Sequence, residues 1–246
     1  MPESAKKCIK SWKKYCPDYE IIEWNESNLD IGGAPLYIRQ AYEVKKYGFV
    51  PDYFRVKIVN EHGGIYLDTD VEIVKSFDSL LSNKCFVGLE NDGDDMICVA
   101  LGLGFGGEKG LPLFDEIANQ YNDMPFINED GSYNMIASPE LNNEVFLKYG
   151  LNQEDKEQFL RGDIHVYPSE YFCPKSFLDG VIRKTKNTYS IHHFDASWLS
   201  PDKQAEVRNG WKRKQKRARQ KAFRAKMKGL FIKIFGEKFY NRLRGK

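Results

Sequence analysis

Gly63-Gly64-Ile65-Tyr66-Leu67-Asp68-Thr69-Asp70-Val71-Glu72-Ile73-Val74 is the stretch on which the reading of this chain turns. An apolar run feeds into two carboxylates at spacing i, i+2, so in an extended segment Asp68 and Asp70 point to the same side. Two anionic groups converging at the mouth of a buried strand repel each other and lose hydration. Such a pair persists most easily with a divalent cation or a hydrogen-bonded ligand between its members. Oxygen ligands suit Mg²⁺ or Mn²⁺, with carboxylates taking few coordination positions and ligand phosphates the rest. The first expectation is a metal-assisted site acting on something rich in phosphate. The two carboxylates alone leave a surface Asp pair at a strand end as the alternative.

Working outward, a helix spans about 51–62, with Pro51 in its first turn and Gly63 as its stop. Helix, terminating glycine and buried strand predict the α/β alternation of a doubly wound sheet, whose ligands gather at the carboxyl ends of strands. Upstream, Ser4 caps a helix running to Tyr15, residues 20–24 alternate as a short strand, and 36–47 read as helix. Downstream, 71–74, 85–90, 96–101, 164–167 and 189–194 read as strands. Residues 112–121 and 139–149 read as helices, and 102–110 is too rich in glycine for either state. Trp12 and Trp24 read as core residues.

With 41% hydrophobic and 14% aromatic residues among 246, the chain can bury a substantial core, which excludes disorder throughout. The five cysteines are odd in number, scattered and without a C-x-x-C pair, so neither a disulfide framework nor a zinc knuckle is suggested and a reducing cytoplasm fits. No run approaches the ~18 to 20 apolar residues of a membrane-spanning helix. The net charge of +2 hides an asymmetry: Lys203 to Lys246 sums to +15 and the remainder to −13. An acidic body with a basic tail is polarised, and the two parts meet different partners.

Two further constellations could carry chemistry. Asp52 and Arg55 stand three apart on the helix leading into Gly63, so they share a face; Arg suits a carboxylate, a sugar hydroxyl or a phosphate, and a local ion pair is the plainer alternative. His192, His193, Ser197 and Trp198 stand at the end of a predicted strand. An imidazole can complete a divalent-metal site, a hydroxyl or indole N–H can reach a phosphate oxygen, and adjacent histidines in a strand face opposite ways.

Pro-Asp-Tyr-Phe-Arg at 51–55, the Gly63–Asp70 run, and His192-His193 with Ser197-Trp198 together resemble the D-x-D sugar-binding region of glycosyltransferase family 32, which includes bacterial capsular and surface-polysaccharide transferases. The resemblance covers residues 2 to about 200. It implies a GT-A type nucleotide-sugar-binding fold, with a mixed, mostly parallel sheet flanked by helices, over residues 1–200. It also implies a nucleotide-sugar donor, usually a UDP-sugar, and Mn²⁺ or Mg²⁺. By position, Asp70 binds the metal, Asp68 contacts the ribose or donor sugar and the metal's waters, and Asp52 and Arg55 hold donor hydroxyls. His193 is preferred over His192 as the second metal ligand, and Ser197 and Trp198 sit on a loop closing over the diphosphate. Asp68, Asp70 and Arg55 carry catalysis in this reading, which favours retention through front-face attack. Family members open on an apolar strand ahead of the segment that here is Pro2-Glu3-Ser4; the chain is expected to lack that strand, and an extended form to bind UDP more tightly.

The tail at 201–246 mixes cationic runs with apolar residues recurring at spacings of 3 and 4, as in a basic amphipathic helix. Such a helix binds an anionic membrane surface, which fits a lipid-linked saccharide acceptor and a cytoplasmic enzyme peripheral on the inner face of the plasma membrane. Packing of the apolar stripe on the body is the alternative; nucleic acid is not expected, since nothing outside the tail is basic. Two other functions remain open: a haloacid dehalogenase-type phosphatase, whose first motif Tyr66 to Val71 also resembles, and a non-catalytic sugar- or membrane-binding module.

Overall fold

The computed structural model of the chain describes residues 1–91, 93, 97–196 and 199–236. The elements run α1 (Glu3–Tyr15), α2 (Leu36–Glu43), α3 (Val50–His62), β1 (Gly64–Tyr66), β2 (Val71–Ile73), β3 (Cys85–Asn91), β4 (Ile97–Val99) and β5 (Phe105–Gly107). They continue with α4 (Pro112–Asn119), α5 (Ser138–Lys148), β6 (Gln158–Leu160), β7 (Ile164–Tyr167), α6 (Ser169–Phe172), β8 (Ser190–His192) and α7 (Pro201–Phe235). The main sheet has the order β1-β5-β3-β7-β6 with β4 attached to β3, and β2 pairs with β8 apart from it.

The expected class is present: a mixed α/β sheet flanked by helices, with a C-terminal helix. Parallel pairing is confined to β3–β7 among the described strands, a smaller share than the sequence reading expected. Connection length explains this. The chain between β3 and β7 is long enough to carry α4 and α5 across, whereas three residues between β6 and β7 permit only a hairpin.

Local chemistry accounts for most boundaries. Pro51 stands in the first turn of α3, where its missing N–H costs nothing, and Gly63 ends the helix at φ 72, a left-handed conformation that glycine adopts freely. α1 starts at Glu3 behind Pro2 with no side-chain cap, so Ser4 lies inside the first turn instead of capping it. Residues 20–24 form no strand, because no neighbouring strand takes up their backbone. The glycine-rich segment supplies β5, which had been read as irregular. A Cβ on Gly106 would lie 2.3 Å from the Phe86 ring and one on Gly107 2.7 Å from Phe114, so these glycines make room for core aromatics between strands.

Apolar side chains of α3, α4 and α5 close one face of the sheet around Val56, Phe105, Phe114 and Phe146. Phe77, Phe86 and Phe172 fill a second cluster, beside β2 and β8. α2 and the start of α3 pack on Tyr121 and Phe126. Trp12 packs against the second cluster and donates its indole N–H to the Val71 carbonyl, which ties α1 to β2. These contacts fix the segment between β1 and β2, where Asp68 to Asp70 lie.

Candidate active site

Asp68 and Asp70 do not lie in a strand. They occupy the turn between β1 and β2, closed by a hydrogen bond from the Val71 N–H to the Asp68 carbonyl at 3.0 Å. Their carboxylates nevertheless converge: ligand atoms of Asp68, Asp70 and His192 all lie within 4.8 Å of one another. That spread matches oxygen and nitrogen ligands about 2.0–2.2 Å from a shared divalent ion.

β8 delivers the histidine. Val71 pairs with His192 across the antiparallel β2–β8 ladder, and the His192 Nε2 lies 3.2 Å from the Asp70 Oδ1. Asp70 also accepts the Asp195 N–H on Oδ2 at 2.9 Å, and its carbonyl accepts the His193 N–H at 3.0 Å. Burial alone would raise the Asp70 carboxyl, but the hydrogen bond and charge of His192, with the Asp195 N–H, hold it at about 2. For His192, burial opposes the charged ring, and Asp70 outweighs that and raises its pKa. The expectation had named His193 as the ligand. The structure turns that ring the other way, one residue past the end of β8, with Nε2 2.8 Å from Glu72 Oε2.

α3 supplies the opposite wall. Arg55 is 5% exposed; its Nη2 lies 2.7 Å from Asp52 Oδ1 and 3.4 Å from Asp68 Oδ1, so the guanidinium joins the two carboxylates. Tyr66 donates its hydroxyl to Asp68 Oδ1 at 2.8 Å, and its ring centroid lies 5.3 Å from the Arg55 guanidinium. The Asp52 carboxyl is pushed up to about 6, chiefly by burial and also by Asp68, against the opposing Arg55 and the Ser138 hydrogen bond. The Asp52 and Arg55 side chains therefore do more than pair locally along the helix.

Sequence reasoning assigned no site role to Tyr66 or Ser138. Tyr66 was legible only as part of the apolar run, Ser138 is brought to Asp52 by the start of α5, and Gly102 comes from the glycine-rich segment. A Cβ on Gly102 would lie 2.7 Å from Asp68 Oδ2 and 3.0 Å from Arg55 Nη1, so only glycine lets the acidic and cationic groups meet there. Ser197 and Trp198 lie outside the described residues.

Asp52, Arg55, Asp68, Asp70, Ser138 and His192 border one cavity of about 1630 Å³. Its volume exceeds the ~300–1,000 Å³ of an ordinary small-ligand pocket. A divalent cation fits the residues present. Two carboxylates and an imidazole converge, and the buried His192 Nδ1 has no hydrogen-bond partner among the described residues.

Residues 2–87 match the family model described as the glycosyltransferase sugar-binding region containing the DXD motif, and Asp68 and Asp70 fall inside the match. The match takes in β1, the turn that carries the two carboxylates, and the Asp52–Arg55 pair of α3. A solved structure titled PaToxG Glycosyltransferase aligns at TM-score 0.42 and 17% identity, covering 60% of this chain. The alignment spans 64% of that structure's own length. No curated protein matches the chain.

Proposed function

We infer that the protein is a metal-dependent glycosyltransferase of the family 32, GT-A type, with its catalytic domain over residues 1–200. It moves a sugar from a nucleotide-sugar donor, a UDP-sugar, to a saccharide or lipid-linked saccharide acceptor in surface polysaccharide synthesis. The observation that carries this reading is the convergence of Asp68, Asp70 and His192 beside the buried Asp52–Arg55 pair, around one cavity. Asp68, Asp70 and His192 would hold Mn²⁺ or Mg²⁺, which neutralises charge on the donor diphosphate as the sugar leaves. Arg55 and Asp52 orient hydroxyls of the donor sugar, the buried Asp52 carboxyl accepting from them and the guanidinium donating. The anomeric carbon–oxygen bond to the diphosphate breaks as the acceptor oxygen bonds the same carbon. With retention, attack comes from the face the leaving group departs, and the departing phosphate accepts the acceptor's proton.

The location proposed is cytoplasmic and peripheral on the inner face of the plasma membrane. No helix among the described residues is long and apolar enough to cross a membrane, but α7 exposes Phe223, Met227, Leu230 and Ile234 along one stripe. Twelve Lys and Arg and no acid stand between Val207 and Gly236, so an anionic lipid surface is the fitting partner. Cys8, Cys16 and Cys85 are buried thiols outside any disulfide, in keeping with a reducing compartment.

Incubating the protein with Mn²⁺ and a panel of nucleotide sugars tests the assignment. Slow release of free nucleoside diphosphate from one donor, lost in Asp70→Ala, is the expected result. Silence toward every donor, or phosphate release from small phosphoesters instead, would count against it.

A further inference from the structure

We propose that Trp211, on the basic helix α7, is a positioning residue for the metal site and acts through a relay of rings that ends on His192. The proposal rests on the reading of Asp68, Asp70 and His192 as that site. It makes the first turns of α7 part of the catalytic unit instead of a tail beyond it.

Trp211 is the member of the relay farthest from the site. Its indole N–H donates to the Phe177 carbonyl at 2.6 Å, and its ring meets the Phe177 ring edge-on at 6.3 Å between centroids. Phe177 in turn meets Phe194 at 5.4 Å, and Phe194 meets the His192 imidazole edge-on at 4.4 Å. A second strand of contact runs alongside: Lys175 lies 4.5 Å over the Trp211 ring and donates its ammonium to the His193 carbonyl. Gln215, one helical turn on, donates to the Asp179 carbonyl at 2.8 Å.

The indole has a purpose-made seat. Gly180 stands at φ +65, and a Cβ there would lie 2.6 Å from the indole Cδ2, so the loop presents bare backbone to the ring. The segment being held needs holding. Phe194 and Ala196 sit at φ 54 and 51, left-handed conformations unfavourable to residues with a Cβ, and between them Asp195 aims its N–H at Asp70. Strain of this kind persists only where the surroundings impose it. Here the surroundings are the Phe177 and Lys175 contacts, both backed by Trp211. Groups behind a metal ligand orient it, and their loss weakens metal affinity by about 10- to 100-fold.

The test compares Trp211→Ala and Gly180→Ala with wild type in the full chain. Mn²⁺ affinity is read by electron paramagnetic resonance, and the His192 imidazole ¹H–¹⁵N shifts are read in the metal-free protein. We expect Trp211→Ala to weaken Mn²⁺ binding by about tenfold and to move the His192 shifts, and Gly180→Ala, which displaces the indole without removing it, to do the same to a smaller degree. Trp211→Phe, which keeps a ring but loses the N–H, should recover part of the affinity. Folded variants with wild-type Mn²⁺ affinity and wild-type His192 shifts would overturn the proposal. A wild-type protein that binds no Mn²⁺ while the variants still move the His192 shifts would refute the metal reading and leave the positioning role standing.

Discussion

Asp70 and His192 lie side by side with little solvent between them, their side chains 17% and 15% exposed. For Asp70 the folded carboxyl sits at about 2 against 3.8 for the free group, so its stabilising contribution is present above pH 3.8 and is lost as pH falls through 2. His192 is raised, so its contribution is present below its ordinary value of 6.5 and is lost as pH rises through the higher folded value. In the metal-free protein, the stability gap between wild type and Asp70→Asn is therefore expected to plateau between about pH 4 and 6.5, at about 2 kcal/mol. It should shrink on both sides, as urea denaturation across pH would report. At this scale the sequence was informative about which residue types gather and less so about which neighbour faces in. Asp52, Arg55, Asp68 and Asp70 were all legible because a helix face and an i, i+2 pair are local patterns. Sequence reading preferred His193 to His192, without access to the β2–β8 register that decides which strand face meets β2, a contact more than a hundred residues apart in the chain.

Among the elements, those with a strong period or a stop signal were readable. α3, α4 and α5 appear close to where their prolines and apolar spacing put them, and Gly63 ends α3 as expected. β5 was missed because its signal is the absence of side chains: Gly106 and Gly107 are required by Phe86 and Phe114 on other elements. The Glu20–Trp24 alternation gave a false strand for the complementary reason. Period-2 patterning describes a segment's own faces, while a strand exists only where a neighbouring edge accepts its hydrogen bonds. The Asp68–Asp70 segment illustrates both points, since its carboxylates converge from a turn and not from the extended geometry that their spacing suggested.

Across the whole molecule, charge and architecture divide the chain differently. By charge the basic region begins near Lys203, yet Trp211 and Gln215 are bonded to the 177–179 loop, so the start of α7 belongs with the body. Farther along, Phe223, Met227, Leu230 and Ile234 are between 46% and 63% exposed, an apolar stripe left uncovered by the described residues. If that stripe and its flanking cations meet an anionic bilayer, the protein should sediment with vesicles containing phosphatidylserine and remain free of pure phosphatidylcholine. Raising salt from 0.05 to 0.5 M, an arbitrary test range that shortens the screening length about threefold, should release much of it. Replacing Phe223 and Leu230 by Ser should weaken binding at every salt concentration. Equal sedimentation with both lipids would remove the membrane from the account.

The central claim is that Asp68, Asp70 and His192 share one divalent cation. Mn²⁺ titration of wild type, His192→Ala and His193→Ala, followed by electron paramagnetic resonance, tests it most directly. The geometry predicts that His192→Ala weakens Mn²⁺ binding by about tenfold or more while His193→Ala stays within about twofold of wild type. The opposite ranking, or three equal isotherms, would contradict the site as drawn.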